Sequence, residues 1–296
     1  MIELGNSKVK IAVSPEAGAS LAYFKVVNGD KTVDVMRPAT DKAINDKEAN
    51  GFAMYPILPY VSRIHDGFFV YWGIKRAVPA NVSFDKEPFD GDGWRNAWTV
   101  KSSDATGVTL VYAHDGKKGF PFAYEAEVTY KVSDSGFSVR IVLKNTGMLP
   151  MPCAMGVHPF FPKAKDVIVK MHNKNVWEHM GTPLRDKPYK ISPDWSFEEG
   201  RAIHGMVLDT SFGGFEGNAE ITWPTQKVRL NIKAYEEFNH VIVVIPENKN
   251  FFSVEPVTSS TDAFNLASRG ITGTGIKSIG PQETIEATVE FTAETL

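Results

Sequence analysis

Apolar and polar positions along much of this chain alternate with a period of two, the pattern of strands that bury one face. Residues 108–113, 123–132 and 137–143 alternate or run apolar between turn signals at His114-Asp115-Gly116 and Asp134-Ser135-Gly136. The first 36 residues repeat the pattern at 9–13, 21–27 and 33–36, with a hairpin-type turn signal at Asn28-Gly29-Asp30, and predict a β-meander. Segments 219–223, 228–234 and 240–245 predict three more strands, and the alternation at 285–291 predicts a closing one. Between 163 and 203 the chain is polar, and Pro183, Pro188 and Pro193 mark long connections around short strands. The charged stretch 41–50 is compatible with a helical turn or a loop. No long helical periodicity occurs. Short strands separated by Gly-containing turns predict an all-β chain, a large antiparallel β-sandwich, rather than βαβ units. With no linker, low-complexity segment or short repeat, residues 1–296 are expected to form a single domain.

Composition narrows the functional classes. Of 296 residues, 43% are hydrophobic and 23% charged, enough apolar material for a sizeable core. A formal net charge of −3 supplies no long-range attraction for nucleic acid or anionic lipid, so neither is an expected partner. No apolar run reaches membrane-spanning length, and Met1-Ile2-Glu3-Leu4-Gly5-Asn6 has neither the basic nor the apolar part of a signal peptide, so a cytoplasmic location is expected. One cysteine, Cys153, excludes an intrachain disulfide and a cysteine-rich zinc site; flanked by Met151 and Met155, it reads as a small buried hydrophobe. No Gly-x-Gly-x-x-Gly opens a helix after a strand, and no His-x-x-x-His spacing is present.

Two stretches carry candidate chemistry. Ser253-Val254-Glu255-Pro256-Val257-Thr258 places Glu255 between an apolar run and a polar loop, where a strand is expected to end and a site to open. Alone, such a glutamate is most simply a solvated strand-end residue. About a hundred residues earlier, Met155-Gly156-Val157-His158-Pro159-Phe160-Phe161-Pro162 offers His158 as a partner that titrates near neutrality. Taken alone, it is most simply a satisfied core histidine.

Together, these stretches resemble the aldose 1-epimerase (galactose mutarotase-like) family, in which a Gly-x-His-Pro segment carries a general acid and a Glu-Pro-x-Thr segment leading to Asp-Ala-Phe-Asn (here Asp262-Ala263-Phe264-Asn265) carries the base. Further landmarks follow in order. Leu58-Pro59-Tyr60-Val61-Ser62-Arg63-Ile64 resembles the segment bearing a substrate-contacting arginine, which implies Arg63 in that role and leaves Ser62 where asparagine is usual. Met206-Val207-Leu208-Asp209 resembles the segment whose aspartate binds sugar hydroxyls, and residues 279–291 resemble the last turn and strand. Phe89-Asp90-Gly91-Asp92-Gly93-Trp94 resembles a Leu-His-Gly-x-Gly-Trp segment, but Asp90 replaces its histidine, and an ionised carboxylate cannot donate to a ring oxygen. Asp-Gly turn chemistry explains Asp90 and Asp92 equally well. His65, beside Asp66-Gly67, reads as a turn residue.

The resemblance implies a galactose mutarotase-like supersandwich and an isomerase that interconverts the α and β anomers of an aldose. Glu255 takes the proton of the C1 hydroxyl and His158 protonates the ring oxygen, each transfer worth about 10²- to 10⁴-fold. Mutual attraction is expected to keep Glu255 ionised and His158 protonated. Arg63 and Asp209 hold hydroxyls and Asp90 takes the histidine's place in the site; sugar chemistry, not the resemblance, adds the expectation that Trp94 or another aromatic packs on the apolar face of the sugar. The implied partner is a small-molecule sugar, with no metal or other cofactor, in a monomer or homodimer. Two alternatives remain: an enzyme for a phosphorylated or otherwise anionic sugar, with Lys75-Arg76 or Arg95 as its cationic subsite, and a non-catalytic carbohydrate-binding protein on the same fold.

Overall fold

The computed structural model describes every residue except 29–30, 181–184 and 236. The turn expected at Asn28-Gly29-Asp30 and the connection at Pro183 thus fall outside the described residues. Among the described residues, strands pair antiparallel into two large sheets and two short ribbons. The 11-stranded sheet runs in space through Ile2–Gly5, Val9–Ser14, Ser20–Asn28, Met54–Ile57, Gly156–Pro159, Phe251–Val257, His240–Ile245, Leu208–Gly213 and Asn175–His179, with Lys31–Asp34 and Phe161–Pro162 pairing off this path. The 9-stranded sheet runs through Arg201–Ala202, Ile168–Met171, Asn218–Trp223, Val228–Ala234, Thr284–Thr295, Gly136–Asn145, Ala123–Val132, Gly107–Asp115 and Thr99–Ser103.

The alternation read from the sequence sets the inner faces. In Ala123–Val132, Tyr124, Ala126, Val128, Tyr130 and Val132 are buried while their neighbours face outward. The two sheets share one apolar core: Phe24 of the first meets Phe137 of the second edge to face at 5.0 Å, Phe137 stacks on Phe291 at 5.1 Å, and the Tyr130 hydroxyl donates across to the Ala19 carbonyl at 2.8 Å. Aromatic pairs at these separations add to the area they bury. The fold is the all-β sandwich expected.

Local departures have local causes. The strand expected at 33–36 is Lys31–Asp34, because the chain then turns so that the N–H groups of Val35 and Met36 both donate to the Phe24 carbonyl. Stretch 41–50 holds the helix Asp41–Asp46, opened by the Thr40 hydroxyl accepting from the Ala43 N–H, and then the 3-10 turn Ala49–Gly51. No helix among the described residues is long and apolar enough to cross a membrane.

The middle of the larger sheet places the two motif stretches side by side. Gly156 and Val257 are Cα partners, the Met155 N–H donates to the Thr258 hydroxyl at 2.9 Å, and the Thr258 N–H returns to the Met155 carbonyl at 2.9 Å. A Cβ on Gly156 would lie 2.6 Å from Val257 Cγ1 and 3.0 Å from the Pro256 carbonyl oxygen, so only glycine permits this approach. Gly156→Ala is therefore expected to lower stability by about 1–3 kcal/mol, read as a lower denaturation midpoint; a midpoint matching the wild type would refute the close-packing argument.

Candidate active site

His158, the third residue of Gly156–Pro159, has Tyr55 as its register partner in Met54–Ile57. Glu255 lies within Phe251–Val257, opposite Ile242, and only 3% of its surface is exposed. The strand thus continues past Glu255 rather than ending there as expected. The polar stretch Thr258 to Thr261 that follows is buried, not a solvated loop. The two side chains meet: His158 Nε2 lies 3.1 Å from Glu255 Oε1, which also accepts from the Ser253 hydroxyl at 2.6 Å.

The histidine is fixed in an aromatic column. Its ring stacks on Phe160 at 4.3 Å and lies against Tyr55 at 4.7 Å; Tyr55 stacks in turn on Trp94 at 4.6 Å. The Arg37 guanidinium caps the other end, 3.9 Å from the Phe160 ring centre, and donates to the carbonyls of Asn50 and Phe52 at 2.7 and 2.6 Å. Trp94 is 1% exposed and lines no part of the cleft, so it backs Tyr55 instead of meeting a sugar; the expected sugar-stacking role is corrected accordingly. Aromatic rings that do line the cleft include Tyr55, Phe84, Phe89, Phe160 and Phe251.

Asp90 is 1% exposed and engaged on both oxygens: Oδ2 accepts from the Tyr55 hydroxyl at 2.9 Å and Oδ1 from the Ser62 N–H at 2.7 Å. The Asp90 N–H returns to the Ser62 carbonyl at 3.0 Å. Both residues are left-handed, with φ of 57° at Ser62 and 54° at Asp90, a conformation that a non-glycine residue keeps only where its surroundings fix it. This clamp sets the backbone just before Arg63. Arg63 Nε donates to Asp85 at 2.7 Å, and its side chain lines the cleft together with Asp209. The structure thus brings Glu255, His158, Arg63, Asp209 and Asp90 to one cleft. His65 lies in a 3-10 turn, as its Asp-Gly neighbours imply, yet its Nδ1 contacts Glu87 at 2.9 Å and it lines the adjoining lobe.

Burial dominates the electrostatics. It raises the Glu255 pKa well above the usual carboxylate range, and the Asp90 carboxylate pushes the same way. Burial and then the Arg37 cation lower His158 to about 3. Asp90 is raised by burial to about 6, and Asp209 is raised by burial. The expectation of a standing ion pair is therefore corrected: the free site favours neutral imidazole beside a protonated carboxyl. That form carries one proton on the pair, as the ion pair does, so the two differ only in which side of the 3.1 Å contact holds it.

Several of these residues carried no signal in the sequence. Tyr55 and Arg37 act through contacts with distant segments, and nothing local marks them; Ser253 bonds Glu255 two positions along the same strand, and only its motif neighbours point to it. Arg95 lines a separate depression with Asp92 and Lys117, while Lys75 and Arg76 lie on the ribbon strand Ile74–Ala77 against Phe68 and Phe122. None of the three lines the cleft, so the cationic subsite considered from the sequence is not formed there.

Arg37→Met is expected to raise the His158 pKa from about 3 toward that of free imidazole, whereas Arg37→Lys retains the charge and keeps it low. Titration of the His158 ring signals by NMR checks this; equal pKa values in Arg37→Met and wild type would remove Arg37 from the account.

Comparison with known proteins bears on the family and the fold. A family model described as aldose 1-epimerase matches residues 1–292. The uncharacterized protein YphB of Escherichia coli K12 is 20% identical over 267 residues, spanning 88% of each chain. The crystal structure of an Escherichia coli K12 protein described as a candidate aldose 1-epimerase superposes with a TM-score of 0.88 at 20% identity, covering 99% of this chain and 98% of that one. A galactose mutarotase-like protein from Clostridium acetobutylicum superposes at 0.84 with 17% identity, covering 99% and 95%. By the family match along nearly its whole length, the chain belongs to the aldose 1-epimerase family.

Proposed function

We propose that this protein is a cofactor-independent mutarotase for a neutral aldose. The supporting observation is the 3.1 Å contact between His158 Nε2 and Glu255 Oε1 in a buried cleft that Arg63 and Asp209 also line. Glu255 takes the proton of the C1 hydroxyl while His158 protonates the ring oxygen. The C1–O5 bond breaks as the C1 carbonyl forms. Rotation about C1–C2 then lets the hydroxyl reclose on either face, and both protons return. Electrons and atoms balance without a co-reactant.

The pKa shifts act on the two halves of this cycle in opposite directions. Ring opening starts from ionised Glu255 and protonated His158 and ends with both neutral, which is the distribution that burial favours. Discharging two buried charges as the ring opens returns the free energy spent in forming that pair from the neutral resting form. Arg63 and Asp209 supply a donor fork and an acceptor for neighbouring hydroxyls.

Charge separates this reading from the anionic-sugar alternative. Asp90, Asp209 and Glu255 line the cleft, and its lysine or arginine lining among the described residues is Arg63, already paired with Asp85. A phosphoryl group would meet repulsion there. The non-catalytic alternative draws on Asp90, which replaces the histidine seen in the family's motif and whose oxygens are already bonded to Tyr55 and Ser62.

The test is anomeric exchange of freshly dissolved single anomers, followed by polarimetry. Wild type is expected to accelerate at least one neutral aldose, and Glu255→Gln to lower the rate about 10²- to 10⁴-fold. Acceleration of phosphorylated sugars alone, or of none, would sink the proposal. The pH profile gives a second check. The working state carries one proton on the pair, so lowering His158 and raising Glu255 widens the active window: the acid limb is expected near pH 3, for as long as the fold persists, and not at the 4.5 of an unshifted glutamate. Asp90→Asn removes a charge that forms at about pH 6 and raises Glu255, so the alkaline limb should move to lower pH.

A further inference from the structure

Of the phenylalanine and tyrosine rings that line the cleft, all but one are engaged by cations or rings of the protein itself. Tyr55 contacts Trp94 and His158, and Phe160 contacts His158 and the Arg37 guanidinium. Phe251 meets Phe160 edge to face and lies 4.6 Å from Arg37, and Phe89 lies 5.4 Å from Arg63. Phe84 differs. Its ring contact among the described residues is an edge-to-face pair with Phe89 at 5.8 Å, and 59% of it is exposed. At least one face of this ring is open.

One exposed apolar residue is ordinary on a protein surface, but this one is presented by a built loop. The connection 78–90 holds no helix or regular strand, yet its base is cinched by Asn81. That side chain accepts from the Phe89 N–H at 2.7 Å and donates to the carbonyls of Phe89 and Gly91 at 2.9 and 2.6 Å. Asp85, next to Phe84, accepts from Arg63 Nε at 2.7 Å and from the Glu87 N–H at 3.0 Å. Glu87 accepts in turn from the Asp66 N–H at 3.1 Å. A loop fixed in this way presents a side chain with little left to order when a ligand arrives.

Elsewhere the cleft offers the apolar face of a sugar no open ring. The adjoining lobe, about 460 Å³, is walled mainly by polar and charged groups. A register shift between Val176 and Glu178 turns Glu178 and His179 to the same side there. No phenylalanine, tyrosine or tryptophan lines that lobe among the described residues. The lobe that holds His158 and Glu255 is about 220 Å³ and has Phe84 in its wall, so a sugar ring seated at the pair lies within reach of Phe84.

We propose that Phe84 is the ring on which the apolar face of the sugar packs, the part expected of Trp94, and that it sets affinity without entering the proton transfers. The proposal rests on the mutarotase reading above. Asp85 ties this contact to the hydroxyl contacts, because the carboxylate beside Phe84 is the one that holds Arg63. Carbons away from C1 keep their C–H groups as the C1–O5 bond opens. The stack is therefore made equally in the ground and transition states, which lowers KM and leaves kcat unchanged.

Freshly dissolved single anomers of glucose, galactose, xylose and arabinose would be followed by polarimetry with wild type, Phe84→Ala, Phe84→Leu and Phe84→Tyr. For each sugar that wild type accelerates, Phe84→Ala and Phe84→Leu are expected to raise KM about three- to tenfold, the yield of one aromatic stack, with kcat within about twofold. Phe84→Tyr keeps the ring and should keep KM within about twofold of wild type. Because Phe84 is exposed, the denaturation midpoints should agree within about 2 °C, which separates the effect from misfolding. A wild-type KM in Phe84→Ala or Phe84→Leu overturns the proposal, as does a KM in Phe84→Tyr that rises with theirs or a fall in kcat at unchanged KM; the mutarotase reading survives all three. If no sugar is accelerated, that reading fails, and dissociation constants from NMR titration with the same sugars decide the stack separately. Weaker binding by Phe84→Leu than by wild type supports it, and equal binding or none overturns it.

Discussion

The site depends on one backbone approach, that of Gly156 to Val257, which nothing larger than hydrogen at Gly156 would permit. His158 and Glu255 are 97 positions apart in the sequence, and such a pairing costs loop-closure entropy before it returns anything. The return comes from neighbours on both sides. Met54–Ile57 pairs along the whole of the His158 strand, and His240–Ile245 pairs with the Glu255 strand over five positions. Thr258 adds two hydrogen bonds to Met155. Both side chains of the proposed acid/base pair therefore stand on interior strands of the larger sheet, where neither can shift without breaking a ladder.

Rigidity and burial then determine the electrostatics. Water would stabilise a charged histidine and a charged glutamate separately; the aromatic column around His158 leaves little room for it. Arg37, stacked on Phe160 and lowered by burial to about 10, stays cationic at neutral pH and opposes a second positive charge on His158. Asp90 raises Glu255 from the other side. The two influences bias the shared proton toward the carboxyl, a bias that works against the charged starting pair and in favour of the open-chain state.

The regular part of the fold was legible because alternation is local. Strands 123–132, 228–234 and 240–245 have the limits that the sequence predicts. The site was legible only where residues sit in contiguous motifs. Thr258 to Thr261 form the loop that the sequence predicts after Val257, but hydroxyls suggest surface and here they are buried, with Thr258 serving backbone groups of another segment. Trp94 read as a sugar platform because tryptophan commonly serves as one; its position behind Tyr55 is a tertiary fact. The register shift that turns Glu178 and His179 into one lobe is set by the partner strand, and no pattern within 175–179 encodes it.

Asp90 shows how the same residue can satisfy both readings drawn from the sequence. As an Asp-Gly turn residue it adopts φ of 54° and accepts from the Ser62 N–H, which fixes the approach to Arg63. As a site residue it lines the cleft and, through Tyr55, touches the column that carries His158. With both oxygens already accepting, its main remaining influence on a bound sugar is its charge, which appears at about pH 6 and acts on Glu255 over a distance. A histidine there would be able to donate to a substrate oxygen; the aspartate instead adjusts the base. In the proposed reading, orienting the sugar then falls to Arg63, Asp209 and the walls of the cleft, so that specificity would rest on how the hydroxyls of a neutral ligand are matched, not on attraction between charges.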